Sequence, residues 1–500
     1  MLSHPEKNLA ELIKYLEVER IVGDINIQVN GLSNDSRTVR PGNIFVAIYG
    51  YKTDGHSFIA KAIEKGAKAI VCQQPYPTPS PVPIIQVKNS RYAQAVLAEE
   101  FFDHPSEKLK LIGITGTNGK STSTFMINNI LEKAGFLTGL LGTVYNKVDN
   151  QIQPTLHTTP DSIEIQNFLA RMVKKQIDYA IVEVSSHGIA LDRIVGNKFV
   201  VGGITNITLD HLDLHGGMDD YVRTKGKFFS QLPKESIAIF NGDDSLSLQL
   251  NPYTSAQGVT YGIDSNLVNV KACDIQKSST YTEFRLTVKK PFFSILGERI
   301  LPFSFPIKLA CLGNHNIYNA LLAATCCLAL GVTEEKIQKG LAEYTGIFRR
   351  LEVIYNEDFK VINDTAHNPG SFQAVFQVIE EEQYNNLYIV NSIRGSRGVE
   401  INKENTRIIL NWALKLRPQK IFLTSAYDTS GPLDIVQEEE LKVVLEMFQE
   451  SGVRMEYSDS LEESIAKVCS LIAEKDLLVF LGAHSMDKAT EIFRRIILSG

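Results

Sequence analysis

The sequence predicts an α/β protein built from three units, and three observations predict it. The chain has 500 residues, room for about three domains at roughly 150 residues each. From about residue 109, apolar strand-like runs alternate with helical stretches, the pattern of a parallel sheet with helices on both faces. That pattern lapses near 258 and a second α/β alternation begins near 346.

The elements follow in order. Residues 1–75 read as a helix, the short strands INIQVNGLS and GNIFVAIYG, a helix around FIAKAIEKGA and the strand AKAIVCQ. The proline-rich PYPTPSPVP cannot sustain a helix. It reads as a loop inside the first domain, because a strand-like IIQVKN and a helix near 90–103 follow. KLIGITG then reads as a buried strand and GKSTSTFMINNILEKAG as a helix. The strands DYAIVEVSS, VVGGITNI and SIAIFNGDD come next. Between 258 and 307, TEFRLTVKK and RILPFSFPI alternate polar and apolar residues, which predicts an antiparallel insert, followed by the helix NIYNALLAATCCLALG. The last unit carries the strands EVIYN, KVINDTA, NLYIVNS, KIFLTSA and LLVFLGA. The predicted domains are 1–105, 106–346 and 347–500.

Composition narrows the function. Hydrophobic residues at 44% and charged residues at 22% exclude a disordered chain or a disulfide scaffold. Lys+Arg 51 against Asp+Glu 57 gives a net charge of -6, without the basic footprint of a nucleic-acid or anionic-membrane binder. A local basic pocket for a small anion remains compatible with it. The cysteines Cys72, Cys273, Cys311, Cys326, Cys327 and Cys469 form no C-x-x-C and no zinc spacing, and read as free, mostly buried thiols. The start lacks the basic and apolar regions of a signal peptide, and no apolar run approaches the ~20 residues of a membrane span. A cytoplasmic protein is expected.

Four motifs carry chemistry. In LIGITGTNGKSTST (111–124) a strand runs into Gly116, Gly119 and Lys120 and then into a helix. Glycines let backbone N–H groups turn inward around phosphate oxygens, and the helix N-terminus adds partial positive charge. Lys120 reaches toward β/γ phosphates and Ser121 toward Mg²⁺. Ile114 stands where the strict G-x-x-x-x-G-K-[ST] pattern has glycine. In VEVSSHG (182–188), Glu183 ends an apolar strand and is a candidate Mg²⁺ ligand. In TNITLDHLDLHG (205–216), two His and two Asp within six residues suit a metal, although the same residues form turns and caps. In DDYVRTKGKFF (219–229), Tyr221 and Lys225 share a helix face. Read alone, Lys225 is a solvated surface lysine.

TGTNGKST, EVSSHG, TNITLDHLDLHG, the Y-x-x-x-K helix, GNHNIYNALLA and DTAHNPGS occur here in the order in which the Mur ligases carry them. NDSRTVRPGNIFVAIYGYKTDGHSFIAKAIEKGAKAIV resembles that family's UDP-binding domain. The match covers most of 30–370 and weakens beyond about 375. The resemblance implies a small α/β UDP-binding domain, a central P-loop-type ATPase domain with a mostly parallel sheet, and a Rossmann-like C-terminal domain that closes the site. It implies an ATP-dependent ligase that adds an L-amino acid to UDP-MurNAc-L-Ala-D-Glu through an acyl phosphate, as a monomer. Ser33 and the turn Asp35–Arg37 would meet the UDP moiety. Thr158, Thr159, Ser185 and Arg193 would hold the UDP-muramoyl part. Gly116, Thr117, Asn118, Gly119, Lys120, Ser121 and Thr122 would cradle ATP, with Asn316, Arg350 and Asp364 contacting the nucleotide. Glu183 and His211 would join Ser121 around Mg²⁺, and Lys225 as a carbamate would serve a second Mg²⁺. In this reading Lys120, Lys225, His211 and Glu183 are the catalytic set.

The last domain departs from the family where the amino acid is chosen. Thr429 of TSAYDTSGP falls where diaminopimelate enzymes carry the arginine of D-N-P-R. Ser485 of LGAHSMD replaces the glutamate of G-K-G-H-E. NSIRGSRGVEIN offers Arg394 and Arg397 for a carboxylate or phosphate, or as solvated loop residues. Asn368 in DTAHNPGS drifts toward folylpolyglutamate and cyanophycin synthetases. Two alternatives stay open: an amide ligase with a different acceptor, and a non-catalytic nucleotide-binding relative. Tyr427, Thr429 and Ser485 offer hydroxyls rather than a cation, so an amino acid without a distal carboxylate, such as L-lysine, is expected in preference to meso-diaminopimelate.

Overall fold

The computed structural model describes residues 6–50, 53–77, 79–155, 157–208, 216–278, 281–311, 313–431 and 434–499. Three large sheets follow one another along the chain. The first holds β1 (Val18–Val22), β2 (Gly31–Ser33), β3 (Asn43–Val46), β4 (Ala69–Cys72) and β5 (Ile84–Val87) in the order β1-β5-β4-β3-β2. All neighbours are parallel except β1 and β5. VERIV, unforeseen as a strand, forms because it pairs with IIQV, while the expected N-terminal helix shortens to Leu9–Leu12. The helix expected near 90–103 is α1 (Ser90–Phe101). Asn89 caps it by accepting from the N–H groups of Arg91 and Tyr92, the usual role of Asn at this position.

The central sheet has eleven strands. They are β6 (Lys110–Thr115), followed by α2 (Lys120–Lys133), then β7 (Thr138–Leu141), β8 (Asn146–Val148) and β9 (Gln151–Gln153). After α3 (Ser162–Lys174) come β10 (Tyr179–Glu183), α4 (Ser186–Ala190), β11 (Phe199–Ile204), α5 (Met218–Ser230), β12 (Ile237–Asn241) and β13 (Gln257–Gly262). β14 (Val270–Lys277), β15 (Thr282–Val288), β16 (Phe303–Leu309), α6 (Asn314–Ala329) and α7 (Glu334–Ala342) complete it. The order is β9-β8-β7-β10-β6-β11-β12-β13-β14-β15-β16. The run from β7 to β14 is parallel. The expected antiparallel insert is therefore not a separate body. β14, β15 and β16 extend the same sheet, with β14 parallel to β13 and the last two antiparallel. Residues along β6 alternate between faces: Ile112 and Ile114 pack with α2 and α6, and Leu111 packs with α3 and α5. Each such apolar side chain stabilises the fold by about 1.5–3 kcal/mol relative to exposure. Gly113 leaves the space that the rings of Phe199 and Phe228 fill, since a Cβ there would lie 2.7–2.9 Å from them.

The third sheet contains β17 (Glu352–Asn356), β18 (Lys360–Asp364), α8 (Pro369–Glu381), β19 (Leu387–Ser392), α9 (Val399–Leu416), β20 (Lys420–Thr424), α10 (Glu438–Ser451), β21 (Met455–Ser458), α11 (Leu461–Cys469), β22 (Leu477–Leu481) and α12 (Ala489–Ser499). Its order is β17-β18-β22-β19-β20-β21, parallel except at the β17 edge. All six cysteines are free; Cys72, Cys326 and Cys327 are buried, and the other three are half-buried. Among the described residues no helix is long and apolar enough to cross a membrane.

Candidate active site

The turn after β6 is shaped by two glycines with left-handed backbones, Gly116 at φ 133° and Gly119 at φ 86°. A Cβ at Gly116 would collide with the Thr205 hydroxyl and one at Gly119 with the Asn319 amide. The turn is pinned from β11. Thr117 N–H donates to the Asn206 carbonyl at 2.8 Å. Asn118 N–H donates to Asn206 Oδ1 at 3.0 Å, and Asn206 Nδ2 donates back to the Asn118 carbonyl at 3.1 Å. Lys120 folds over the turn and donates to the carbonyls of Gly116 and Thr117, both at 2.9 Å.

Ser121, at the N-terminus of α2, donates to Glu183 Oε2 at 2.9 Å. Glu183 ends β10 and is fully buried. Thr143 completes the arrangement, its N–H 3.0 Å from Glu183 Oε1 and its hydroxyl 2.9 Å from Oε2. Sequence reasoning missed Thr143. The signal was LGT at the end of a short apolar strand: Gly142 faces Glu183 so closely that a Cβ would strike the carboxylate. A cluster of one buried carboxylate, one buried hydroxyl and one half-buried hydroxyl is an all-oxygen donor set, which suits a hard cation such as Mg²⁺. His211, with Asp210, Asp213 and His215, lies outside the described residues.

Lys225 corrects the reading taken from the residue alone. It is fully buried on α5 rather than solvated, because α5 turns that face inward onto the turn after β6. Its Nζ lies 4.5 Å from the centre of the Tyr221 ring. The Tyr221 hydroxyl is 3.1 Å from Thr117 Oγ1. Tyr221 thus joins the turn after β6 to the Lys225 face.

Beside Glu183 stands a hydroxyl network. Thr159 Oγ1 donates to the Glu183 carbonyl at 2.7 Å and lies 2.9 Å from Ser185 Oγ. Arg193 donates to the Thr159 carbonyl at 2.7 Å, and Thr158 Oγ1 accepts from Thr143 at 3.1 Å. Ser33, Asp35 and Arg37 form a separate turn in the first domain. Ser33 donates to the Asp35 carbonyl at 2.9 Å, and the Arg37 guanidinium pairs with Asp35 at 2.7 Å and holds its carboxyl below the usual range.

A cleft of about 290 Å³ opens between the central and third sheets. Asn118, Gly119, Thr122 and Asn316 line it from one side and Arg350, Leu351 and Asp364 from the other. Asn118 and Asn368 exchange side-chain amide hydrogen bonds at 3.2 and 3.4 Å across its edge. Burial raises the Asp364 carboxyl, against the opposing charge of Arg350 and the N–H of Leu351. Asp243 behaves oppositely. Burial raises it, but three N–H donors from Asp264, Ile263 and Ser265 and the Tyr318 hydroxyl outweigh this and hold it low.

The third-domain loops bond their polar groups to one another and to nearby backbone. Thr429 donates to the Ser485 carbonyl at 2.6 Å, Ser485 Oγ lies 2.7 Å from Ser392 Oγ, and Tyr427 donates to the Val436 carbonyl at 3.0 Å. Arg394 donates to the His367 carbonyl at 3.1 Å. Arg397 lies 4.0 Å from Asp434, and its N–H, with those of Ser396 and Gly398, donates to the buried Glu440.

A glycine-shaped turn at the C-terminal end of a parallel sheet, an adjoining carboxylate–hydroxyl cluster and a cleft lined in part by a third α/β domain together form an architecture suited to a phosphate-bearing ligand. Comparison with known proteins gives the class its family. The Mur ligase middle-domain model matches residues 114–327, the Mur ligase family catalytic-domain model 28–102, and the Mur ligase glutamate-ligase-domain model 349–484. The chain is 35% identical over 440 residues to a UDP-N-acetylmuramoyl-L-alanyl-D-glutamate–2,6-diaminopimelate ligase of Bacillus velezensis, with 86% of each chain covered. It is 33% identical to a ligase of the same name from Clostridium acetobutylicum, covering 95% of this chain and 93% of the other. A crystal structure of MurF from Acinetobacter baumannii has the same fold, with TM-score 0.71, 21% identity, and 99% and 100% of the chains covered. The chain belongs to the Mur ligase family, whose members are ATP-dependent ligases.

Proposed function

We propose that this enzyme joins an L-amino acid to the D-Glu carboxylate of UDP-MurNAc-L-Ala-D-Glu, with ATP converted to ADP and phosphate, in the synthesis of peptidoglycan precursors. The observation that carries the reading is the convergence of the Gly116–Ser121 turn, the Ser121–Glu183–Thr143 cluster and the buried Lys225 at one end of the central sheet. The relatives named for this reaction align along most of the chain.

A carboxylate does not condense with an amine at neutral pH. In the proposed sequence its oxygen attacks the γ-phosphorus, the bond to the ADP oxygen breaks, and an acyl phosphate forms. The amine nitrogen then attacks the acyl carbon, phosphate leaves with its oxygen, and the amine proton is lost. Lys120 moves from the loop carbonyls to the phosphate oxygens and offsets the charge that builds there. Backbone N–H groups of the turn and the N-terminus of α2 orient the same phosphates. Ser121 and Glu183, with His211, would hold Mg²⁺, which would supply charge neutralisation on the transferring group when bound. Lys225, as a carbamate, would serve a second Mg²⁺ site. Thr158, Thr159, Ser185 and Arg193 would orient the muramoyl dipeptide, and Ser33 with Asp35–Arg37 the uridine diphosphate. Asn316, Arg350 and Asp364 would contact ATP across the cleft, and closure of the third domain would exclude water from the acyl phosphate.

The incoming amino acid is read from the third domain. With Thr429 in place of the D-N-P-R arginine and its hydroxyl committed to Ser485, we expect an amino acid without a distal carboxylate, L-lysine first, although the relatives named above carry diaminopimelate in their names. The proposed organisation is a cytoplasmic monomer of domains 1–105, 106–346 and 347–500. The test is ADP release with ATP, Mg²⁺, UDP-MurNAc-L-Ala-D-Glu and single amino acids. ADP formation that depends on the dipeptide and an amino acid supports the reading; ADP formation indifferent to the UDP-dipeptide refutes it.

A further inference from the structure

Arg349 stands next to Arg350 at the entry to the third domain, in a position the mechanism above does not use. Its backbone is left-handed, φ 56°, as is that of Leu351 at φ 51°, a conformation in which glycine is unstrained and a long side chain is not. Its side chain is 1% exposed, rare for an arginine. Both costs are offset by one set of contacts. Nε donates to Asn363 Oδ1 at 3.2 Å, Nη1 donates to the Ala483 carbonyl at 2.9 Å and to the Asp487 carboxylate, and Nη2 donates to the Gly482 carbonyl. These partners end β18 and begin the loop after β22, the neighbouring parallel strand.

The same short segment faces the nucleotide cleft. The Arg349 carbonyl accepts from Thr365 N–H at 3.0 Å, and Leu351 N–H donates to Asp364 Oδ2 at 2.8 Å. Arg350, Leu351 and Asp364 line the cleft; Gly482, Ala483 and Asp487 do not. The loop 482–487 in turn holds Ser485, to which Thr429 is bonded. A planar guanidinium with four fixed acceptors is a rigid strut, and it links the loop beside Thr429 to the pair that faces ATP.

We propose that Arg349 is a positioning residue that couples the loop 482–487 to the nucleotide-facing Arg350 and Asp364, so that nucleotide affinity depends on the state of that loop. That the loop's own occupant is the incoming amino acid rests on the proposed function; the coupling to nucleotide does not.

The experiment uses the full chain and titration calorimetry with the non-hydrolysable ATP analogue AMP-PNP and Mg²⁺. Asp487→Asn, which lies outside the cleft, is expected to weaken AMP-PNP binding about 3-fold, and Arg349→Lys, which keeps the charge but not the fork, about 10-fold. The double variant is expected to be no weaker than Arg349→Lys alone. Unchanged AMP-PNP affinity in Asp487→Asn, or effects that multiply in the double variant, would overturn the coupling. In turnover assays Arg349→Lys is expected to raise KM for ATP and for the amino acid while KM for UDP-MurNAc-dipeptide stays within 2-fold; a parallel rise of all three would mark a merely structural role and overturn the proposal. If the wild-type enzyme shows no dipeptide-dependent turnover, the proposed function fails while the calorimetry still decides the coupling.

Discussion

The central and third domains present two walls of candidate residues, and these are held in different ways. On the central wall the functional candidates sit at the ends of buried parallel strands or on the helices that follow them: Lys120 and Ser121 after β6, Glu183 at the end of β10, Lys225 on α5. Regular backbone places them, and their neighbours are fixed by the strand order. On the opposite wall Asp364 also ends a strand, but Arg350 and the loops after β19, β20 and β22 are held by bonds between segments, such as Arg349 to Gly482 and Glu440 of α10 to three successive N–H groups. Under the proposed function, the contrast teaches where chemistry and specificity would separate. Phosphoryl transfer needs a rigid cradle, which strand ends supply. Choice among amino acids needs surfaces that vary without disturbing the sheet, which loops supply.

Breaking the rigid wall is expected to have the largest effect. Lys120→Ala removes the cation that would meet the γ-phosphate, and kcat should fall ~10³–10⁴-fold, roughly 4–5.5 kcal/mol of barrier, with Tm little changed. Near-normal ADP release by this variant would remove Lys120 from the mechanism. Lys225→Ala is expected to be nearly inactive, about 10²-fold or more below wild type, with acetate or formate restoring part of the rate. An active alanine variant, or a ¹³C NMR spectrum of active enzyme in ¹³C-bicarbonate without a carbamate carbon, would contradict the carbamate.

Changing the variable wall is expected to have a moderate effect that sharpens the contrast. Thr429→Arg introduces a cation able to pair with a distal carboxylate. Relative kcat/KM for meso-diaminopimelate over L-lysine should rise about 10-fold, roughly 1.4 kcal/mol, while KM for ATP stays constant. A matching change in KM for ATP would show that the two walls are not separable in this way.

The smallest effect concerns stability. His315, half-buried beside the cleft, is held down to about 4, chiefly by burial and secondarily by the charge of Lys277. Between about 4 and the ordinary value near 6.5, the unfolded chain binds this proton and the folded chain does not. Stability from this group is therefore full above about pH 6.5 and declines as pH falls toward about 4. Urea midpoints at pH 7 and pH 5 should differ less in His315→Gln than in wild type; equal differences in both would exclude His315 as the source.

The central wall was largely legible in the sequence because its motifs ride on apolar runs whose register is set by burial. LIGITG and DYAIVE read as strands, and Ser121 and Glu183, which follow or end those strands, meet. Lys225 was legible only through the family pattern, since nothing in Y-x-x-x-K states which helix face turns inward. Thr143 was missed because its role depends on β7 lying beside β10, a tertiary pairing. The strand VERIV and the continuation of the central sheet through β14–β16 were missed for the same reason: both depend on partners distant in the chain. Arg349 was invisible, because a buried arginine with a left-handed backbone contradicts every local preference and stands only by its contacts to Gly482, Ala483 and Asp487.

The central claim is most directly tested by one assay. Purified full-length enzyme is supplied with ATP, Mg²⁺ and UDP-MurNAc-L-Ala-D-Glu, and kcat/KM is measured for L-lysine, L-ornithine, meso-diaminopimelate and neutral L-amino acids, with the product identified by mass. The account expects a UDP-MurNAc-tripeptide and one ADP per amide bond, with L-lysine or another amino acid lacking a distal carboxylate used best. A clear preference for meso-diaminopimelate would contradict the reading of Thr429 and Ser485, and no tripeptide with any amino acid would contradict the proposed function itself.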